Sequence, residues 1–182
     1  MLLLAQTITH KYTGEQITFV ETAEQTNGKH LLIEVALPPL GDGPPLHVHD
    51  SFVEHFIVLE GILTVIVGNR KHTLHEGDHI TAPMHTAHTF TNNSDAPVRF
   101  SVRLTPPQQF EQSARIHYGL MQDGLTDDKG TPKNIFHLLY ILQLQNTLIA
   151  DKSIRAQRIL LRVGTQIGKF LGMYHPLNKY LR

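Results

Sequence analysis

The chain before residue 105 consists of short runs in which apolar residues are continuous or alternate with polar ones. The runs cover residues 17–21, 30–37, 52–59, 63–67 and 98–104. They are rich in valine, isoleucine, leucine and phenylalanine, which is typical of β-strands. Turn residues separate them, and Gly68-Asn69 between two runs predicts a tight hairpin. This pattern predicts an all-β fold, and we expect a small closed antiparallel β-barrel.

After Pro106-Pro107 the apolar positions follow the period of an α-helix. A first helix is predicted from Phe110, and Asp123-Gly124 ends it. A second helix is predicted over residues 135–149, which are dense in leucine and isoleucine. The chain is therefore expected to change from strands to helices near residue 107.

A third helix is predicted to begin after Ser153, because serine often caps helix N-termini. Its apolar stripe consists of Ile154, Leu160, Val163, Ile167 and Phe170. The basic residues fall largely outside this stripe, so the helix is amphipathic. We divide the chain into a β-barrel domain at residues 1–106 and a helical extension at residues 107–182 that packs on the barrel or on a partner.

The 182 residues include no cysteine, which excludes disulfides, thiolate metal sites and a cysteine nucleophile. Any metal must therefore be held by imidazole and oxygen ligands. The apolar stretch at residues 2–5 is too short for a signal peptide, and no run approaches the length of a membrane span. We expect a cytoplasmic protein.

Charge is distributed unevenly along a chain whose net charge is zero. From Lys129 to Arg182 there are nine basic residues and one acidic residue, Asp151, whereas the preceding part is acidic. We favour packing of the basic extension on its own acidic barrel or on that of a partner, and we expect a homodimer. The alternative is contact with an anionic membrane. Nucleic-acid binding is not expected, because no DNA-binding helix pair accompanies the barrel.

Candidate metal ligands occur in two segments of the chain. In an extended strand alternate side chains face the same side, so His47 and His49 would present both imidazoles there. Glu54 lies five residues after His49, so in a straight strand its side chain would face the other side. It joins the two histidines only if the chain bends at Asp50-Ser51. His88 is the fourth candidate ligand. Three imidazoles and one carboxylate suit one divalent transition metal, such as iron, manganese, nickel, copper, cobalt or zinc, and leave coordination positions open.

The two segments resemble the two motifs of the cupin superfamily. The first, G(X)5HXH(X)4E(X)6G, matches without a gap from Gly41 to Gly61. The second, G(X)5PXG(X)2H(X)3N, matches at Gly77, Pro83, His88 and Asn92. His85 stands where the family usually has glycine. The helical tail is similar to the extension of small bacterial cupin-domain proteins.

The resemblance implies a jelly-roll β-barrel, or double-stranded β-helix, that binds a small molecule. It implies that His47, His49, Glu54 and His88 hold the metal, with Glu54 as a catalytic base. A metal-dependent oxygenase of the quercetinase kind, a dioxygenase, is the first hypothesis for function. A non-catalytic module that binds or senses a small ligand, and a cupin isomerase, are the alternatives.

Overall fold

The computed structural model describes residues 6–181, so the apolar stretch at residues 2–5 lies outside the described part. The strands are β1 (Gln6–Thr9), β2 (Gln16–Glu21), β3 (Leu31–Leu37), β4 (His47–His49), β5 (Val53–Glu60), β6 (Leu63–Val67), β7 (Arg70–Leu74), β8 (His79–Ala82), β9 (His88–Thr91), β10 (Val98–Thr105) and β11 (Thr147–Ile149). The helices are α1 (Phe110–Gln122), α2 (Ile135–Leu144) and α3 (Ile154–Phe170), followed by a 3₁₀ helix at His175–Leu181.

The strands form two antiparallel sheets of the jelly-roll type. One sheet has the order β1-β2-β3-β10-β5-β8, and the other has the order β11-β4-β9-β6-β7. Within residues 6–181 the two sheets do not join into a closed barrel, so this part of our expectation is wrong. The strand pairs are antiparallel throughout, and several of them join strands far apart in the sequence.

The core lies between the two sheets because apolar side chains alternate along the strands that face it. In β3 the four odd positions from Leu31 to Leu37 are buried, and in β5 Phe56 and Val58 are buried while Ile57 is exposed. Phe52 and Phe100 are also fully buried here. The predicted hairpin at Gly68-Asn69 is confirmed, since β6 and β7 pair across it and Gly68 has a φ of 61°.

The helices pack against the sheets and against one another. α1 places Ala114, Tyr118 and Met121 against the core, and its Ile116 and Leu120 pack with α2 and the 3₁₀ helix. Ser153 caps α3 as predicted, because its side chain accepts a hydrogen bond from the amide of Ala156. In the described part of the chain, none of the helices has both the length and the apolar character needed to cross a bilayer.

The second predicted helix is shorter than expected. It ends at Leu144, and residues 147–149 form β11, which pairs with β4. Asn146 between them has a φ of 50°, a left-handed conformation that asparagine tolerates and that stops the helix. The helical extension therefore contributes a strand to the second sheet. The division into domains at residue 106 stays a prediction.

Glu15 gives the fold a pH-dependent stability. Burial raises the pKa of this carboxyl to about 7 from a usual value of 4.5, although a hydrogen bond with Tyr118 opposes the rise. Folded protein therefore holds one more proton than unfolded protein between about pH 4.5 and about pH 7. We expect the free energy of unfolding to fall as the pH rises through this window and this contribution to be constant above it.

The Glu15→Gln variant isolates this contribution. Denaturant unfolding of both proteins at about pH 5 and about pH 8 should show a smaller loss of stability in the variant, because glutamine does not titrate. All other titrating groups are shared and cancel in the difference. Identical losses in the two proteins would show that Glu15 titrates normally.

Candidate metal centre

The four predicted ligands converge from three strands on one point between the sheets. His47 and His49 project from β4, and His88 lies opposite His47 on the neighbouring strand β9. Glu54 comes from β5 of the facing sheet, because the chain bends at Asp50-Ser51 and crosses from one sheet to the other. One ligand atom from each of these four residues lies within 4.8 Å of the other three. All four side chains are buried.

Each imidazole is oriented by a backbone carbonyl. The Nδ1 atom of His47 lies 2.8 Å from the oxygen of Pro45, that of His49 lies 3.1 Å from the oxygen of Asn146, and that of His88 lies 2.8 Å from the oxygen of Thr86. A carbonyl oxygen only accepts, so each Nδ1–H is the donor. The three Nε2 atoms therefore turn towards the common point, and each of them carries a lone pair there when its ring is neutral.

The arrangement of these atoms suits a cation. The Nε2 atoms of His47 and His49 are 3.0 Å apart, and two neutral rings cannot hydrogen-bond through lone pairs. The Glu54 carboxylate lies 3.0 Å from Nε2 of His88 and 3.9 Å from Nε2 of His49. A divalent metal would satisfy all of these lone pairs at once. The donor set therefore fits such an ion without a change of fold.

Burial and charge keep His47, His49 and Glu54 in the protonation states that bind metal at neutral pH. Burial, helped by the charges of His88 and His49, lowers the pKa of His47 to about 4, and burial also lowers the pKa of His49. Burial alone would raise the pKa of Glu54, but the hydrogen bond to His88 and the nearby histidine charges lower it overall. Neutral imidazoles and an ionised carboxylate are the forms that coordinate metals.

Aromatic side chains surround the centre. The His49 ring stacks on Phe52, with ring centroids 4.1 Å apart. Phe56 follows Glu54 by two residues and Phe90 follows His88 by two residues, so each shares a strand face with a ligand. The centroids of these two rings are 6.0 Å apart. The ligands therefore stand beside an apolar layer.

Comparison with known proteins agrees with this geometry. A family model described as the cupin domain matches residues 33–104, which contain all four ligands. The chain contains a cupin domain. No curated protein matches the sequence.

Three solved structures resemble this cupin. A sugar phosphate isomerase of the cupin superfamily from Silicibacter pomeroyi is 20% identical, and the match covers 58% of this chain and 73% of that one with a TM-score of 0.51. A predicted oxalate decarboxylase from Thermotoga maritima is 17% identical, with 58% and 94% covered and a TM-score of 0.50. An RmlC-like cupin from Shewanella frigidimarina is 17% identical, with 58% and 87% covered and a TM-score of 0.49. At these identities the first two similarities show the fold alone.

The position where this cupin departs from the family motif has a structural explanation. His85 has a φ of 62°, the left-handed conformation in which glycine is favoured. Histidine tolerates it better than bulky apolar residues do. The His85 side chain is 65% exposed, and its Nδ1 atom lies 3.1 Å from Asp50. His85 therefore lies on the surface, outside the four-residue cluster.

Asn146 is a residue of the site that sequence reasoning missed. Its backbone oxygen accepts the His49 Nδ1–H, and its side-chain oxygen accepts the amides of Asp50 at 2.6 Å and Ser51 at 3.0 Å. It thus fixes both a ligand and the bend that brings Glu54 into place. Arg158 of α3 supports the same bend through two contacts of 2.9 Å to Asp50. The extension is therefore built into the candidate metal centre of this cupin.

We expect Asn146→Gly to lower metal affinity by about 10- to 100-fold, the usual effect of losing a group that orients a ligand. Glycine keeps the left-handed backbone but removes the side-chain acceptor for Asp50 and Ser51. Asn146→Asp keeps an acceptor oxygen at this position and should stay within about threefold of wild type. Competition titration with a chromogenic chelator measures both. Equal affinities in the two variants would show that this side chain does not position the ligands.

Proposed function

We propose that this cupin is a metal-dependent enzyme that oxygenates a small organic substrate. The observation that supports it is the convergence of three oriented imidazoles and one carboxylate on a buried point. Four protein ligands leave two positions of a six-coordinate ion for substrate and dioxygen. Iron(II), manganese, nickel, copper, cobalt and zinc all accept this donor set, so the metal is proposed only as a divalent transition ion.

The residues of the centre have separate tasks in this proposal. The ion would supply Lewis-acid polarisation of a substrate oxygen and, if redox-active, electron transfer to dioxygen. His47, His49 and His88 hold their Nε2 atoms in place through their carbonyl contacts. Glu54, once released from the ion, would serve as the base that takes a proton from the substrate.

The walls of the centre favour an apolar substrate. Phe52 stacks on His49, and Phe56 and Phe90 extend the apolar surface along the strands that carry the ligands. A flat aromatic or other largely apolar molecule with one or two oxygen atoms would suit this lining, because few polar groups are present to orient anything more polar. Flavonoids and catechols have this character.

A second candidate function is non-catalytic binding or sensing of a small ligand. The burial of the site favours it, since each of the four ligands is at most 7% exposed. A closed site of this kind can hold metal as a structural element, while a ligand binds elsewhere on the sheets.

Metal analysis followed by oxygen consumption separates the two functions. We expect stoichiometric metal, oxygen uptake with a member of a panel of flavonoids, catechols and small oxo acids, and loss of turnover in Glu54→Gln assayed at a metal concentration that fills its site. A metal-loaded protein that turns over nothing, yet binds ligand equally well after metal removal, would establish the sensor instead. Isomerisation of a sugar phosphate without oxygen uptake would overturn the oxygenase while keeping the metal dependence.

A further inference from the structure

The inner face of helix α3, the side that packs on the protein, carries mostly small residues. Leu161, Gly164, Thr165 and Gly168 are its buried residues, and they face α2 and the chain that follows α3. A Cβ atom at Gly164 would collide with Leu139, and one at Gly168 would collide with Tyr174. The helix therefore packs closely on the protein through small residues and leaves its large apolar side chains for another surface.

Those large side chains form a continuous exposed face. The apolar face consists of Ile159, Leu160, Val163, Ile167 and Phe170, and Leu171 continues it. Each is at least 47% exposed, and Phe170 is 89% exposed. At 3.6 residues per turn these positions fall within an arc of about 120° that borders the inner face on one side. Exposed apolar surfaces of this kind usually mark a protein or membrane contact.

One edge of the apolar face is basic. Arg155, Arg158, Arg162 and Lys169 lie along the same side of α3, between the inner face and the apolar face. No acidic residue occurs between Lys152 and Leu181. Arg158 pairs with Asp50, whereas Arg155, Arg162 and Lys169 form no ion pair with any residue from 6 to 181. Three cations beside the apolar face are thus available to an anionic partner.

We propose that α3 docks the protein on an anionic lipid surface. The helix lies in the plane of the interface, the apolar face enters the boundary between headgroups and acyl chains, and the basic edge contacts the headgroups. The combination of an apolar face with a basic edge and no acidic residue matches that surface. The inner face stays packed on α2, so the folded sheets and the metal centre remain outside the bilayer.

The charges argue against a second copy as the occupant. Two α3 helices that pack antiparallel through their apolar faces about a two-fold axis bring their basic edges to the same side of the pair. Arg162 and Lys169 of each copy would then face like charges, with no acidic residue of α3 to neutralise them. An anionic bilayer neutralises the same residues. Charge complementarity therefore favours the lipid surface over such an antiparallel pair.

Sedimentation of the full chain with lipid vesicles tests the proposal. We expect binding to vesicles with about one third phosphatidylserine, weak binding to pure phosphatidylcholine, and a loss of binding at high salt. Phe170→Glu should lower the partition coefficient at least about tenfold, because an apolar side chain that enters the boundary is replaced by a charge. Leu40→Glu is the matched control, since Leu40 is 66% exposed in a loop of the sheet region, and should behave as wild type.

A second pair of variants tests the basic edge. The triple variant Arg155→Gln, Arg162→Gln and Lys169→Gln should lose about a hundredfold in partition to the anionic vesicles, from about fivefold for each cation. A control with the same change of charge replaces Lys29, Arg70 and Lys71 with glutamine and should lose much less.

Two outcomes would overturn the proposal. Equal partition of wild type and Phe170→Glu would show that α3 does not enter the bilayer. A wild-type dimer that becomes monomeric in Phe170→Glu, without vesicle binding by either protein, would identify a second copy as the occupant. Retained metal content and an unchanged circular dichroism spectrum show that the variants are folded, which an exposed residue such as Phe170 should allow.

Discussion

Replacing His49 by alanine will lower the affinity for a divalent metal by more than about a hundredfold, since losing a ligand costs more than losing a group that only orients one. His49 is central because its Nε2 atom lies 3.0 Å from that of His47 and 3.9 Å from the Glu54 carboxylate. Its removal leaves three donors and opens a gap beside Phe52. Metal content after dialysis and competition titration with a chelator both measure the loss.

His85→Ala is the control for this prediction. It also deletes an imidazole, and one only 36 residues from His49 along the chain, but His85 is exposed and contacts Asp50 rather than the cluster. Its metal affinity should stay within about twofold of wild type, because its exposed side chain supplies no ligand to the cluster. The assignment of the four ligands fails if both variants retain metal equally, or if His85→Ala loses as much as His49→Ala.

The convergence of the four candidate ligands was predictable because their positions depend largely on local rules. Alternation along a strand places His47 and His49 on one side, and the bend needed to bring in Glu54 falls where the sequence has Asp50-Ser51. The family motif then supplies His88. Its position opposite His47 in the neighbouring strand is a register that the motif encodes and that spacing alone does not.

The contribution of the extension to the site could not be predicted in the same way. Residues 147–149 continue an apolar run, and only their pairing with β4, almost a hundred positions away, makes them a strand. The local signal was Gln145-Asn146, a polar pair whose asparagine can adopt a left-handed backbone. A three-residue strand carries too little pattern to compete with the preceding helix.

The sequence also did not indicate which side of α3 packs on the protein. Its pattern predicts an amphipathic helix, but an apolar stripe is expected to face the protein. In the structure the glycines decide the orientation, because Gly164 and Gly168 allow close packing that the larger side chains would prevent. The side that holds Leu160 and Val163 is therefore exposed.

Replacing Phe100 by alanine will lower the free energy of unfolding by about 3–5 kcal/mol, the usual cost of truncating a buried phenylalanine. Phe100 is fully buried in β10, with its ring centroid 5.0 Å from that of Phe90 and 6.3 Å from that of Phe56. These neighbours belong to two different sheets. The cavity that alanine leaves at position 100 therefore weakens the packing between the sheets. Denaturant unfolding should show the loss, while Phe170→Ala, which removes an equal but exposed ring, should change stability by less than about 0.5 kcal/mol. Similar values for the two variants would mean that the sheets do not pack through Phe100.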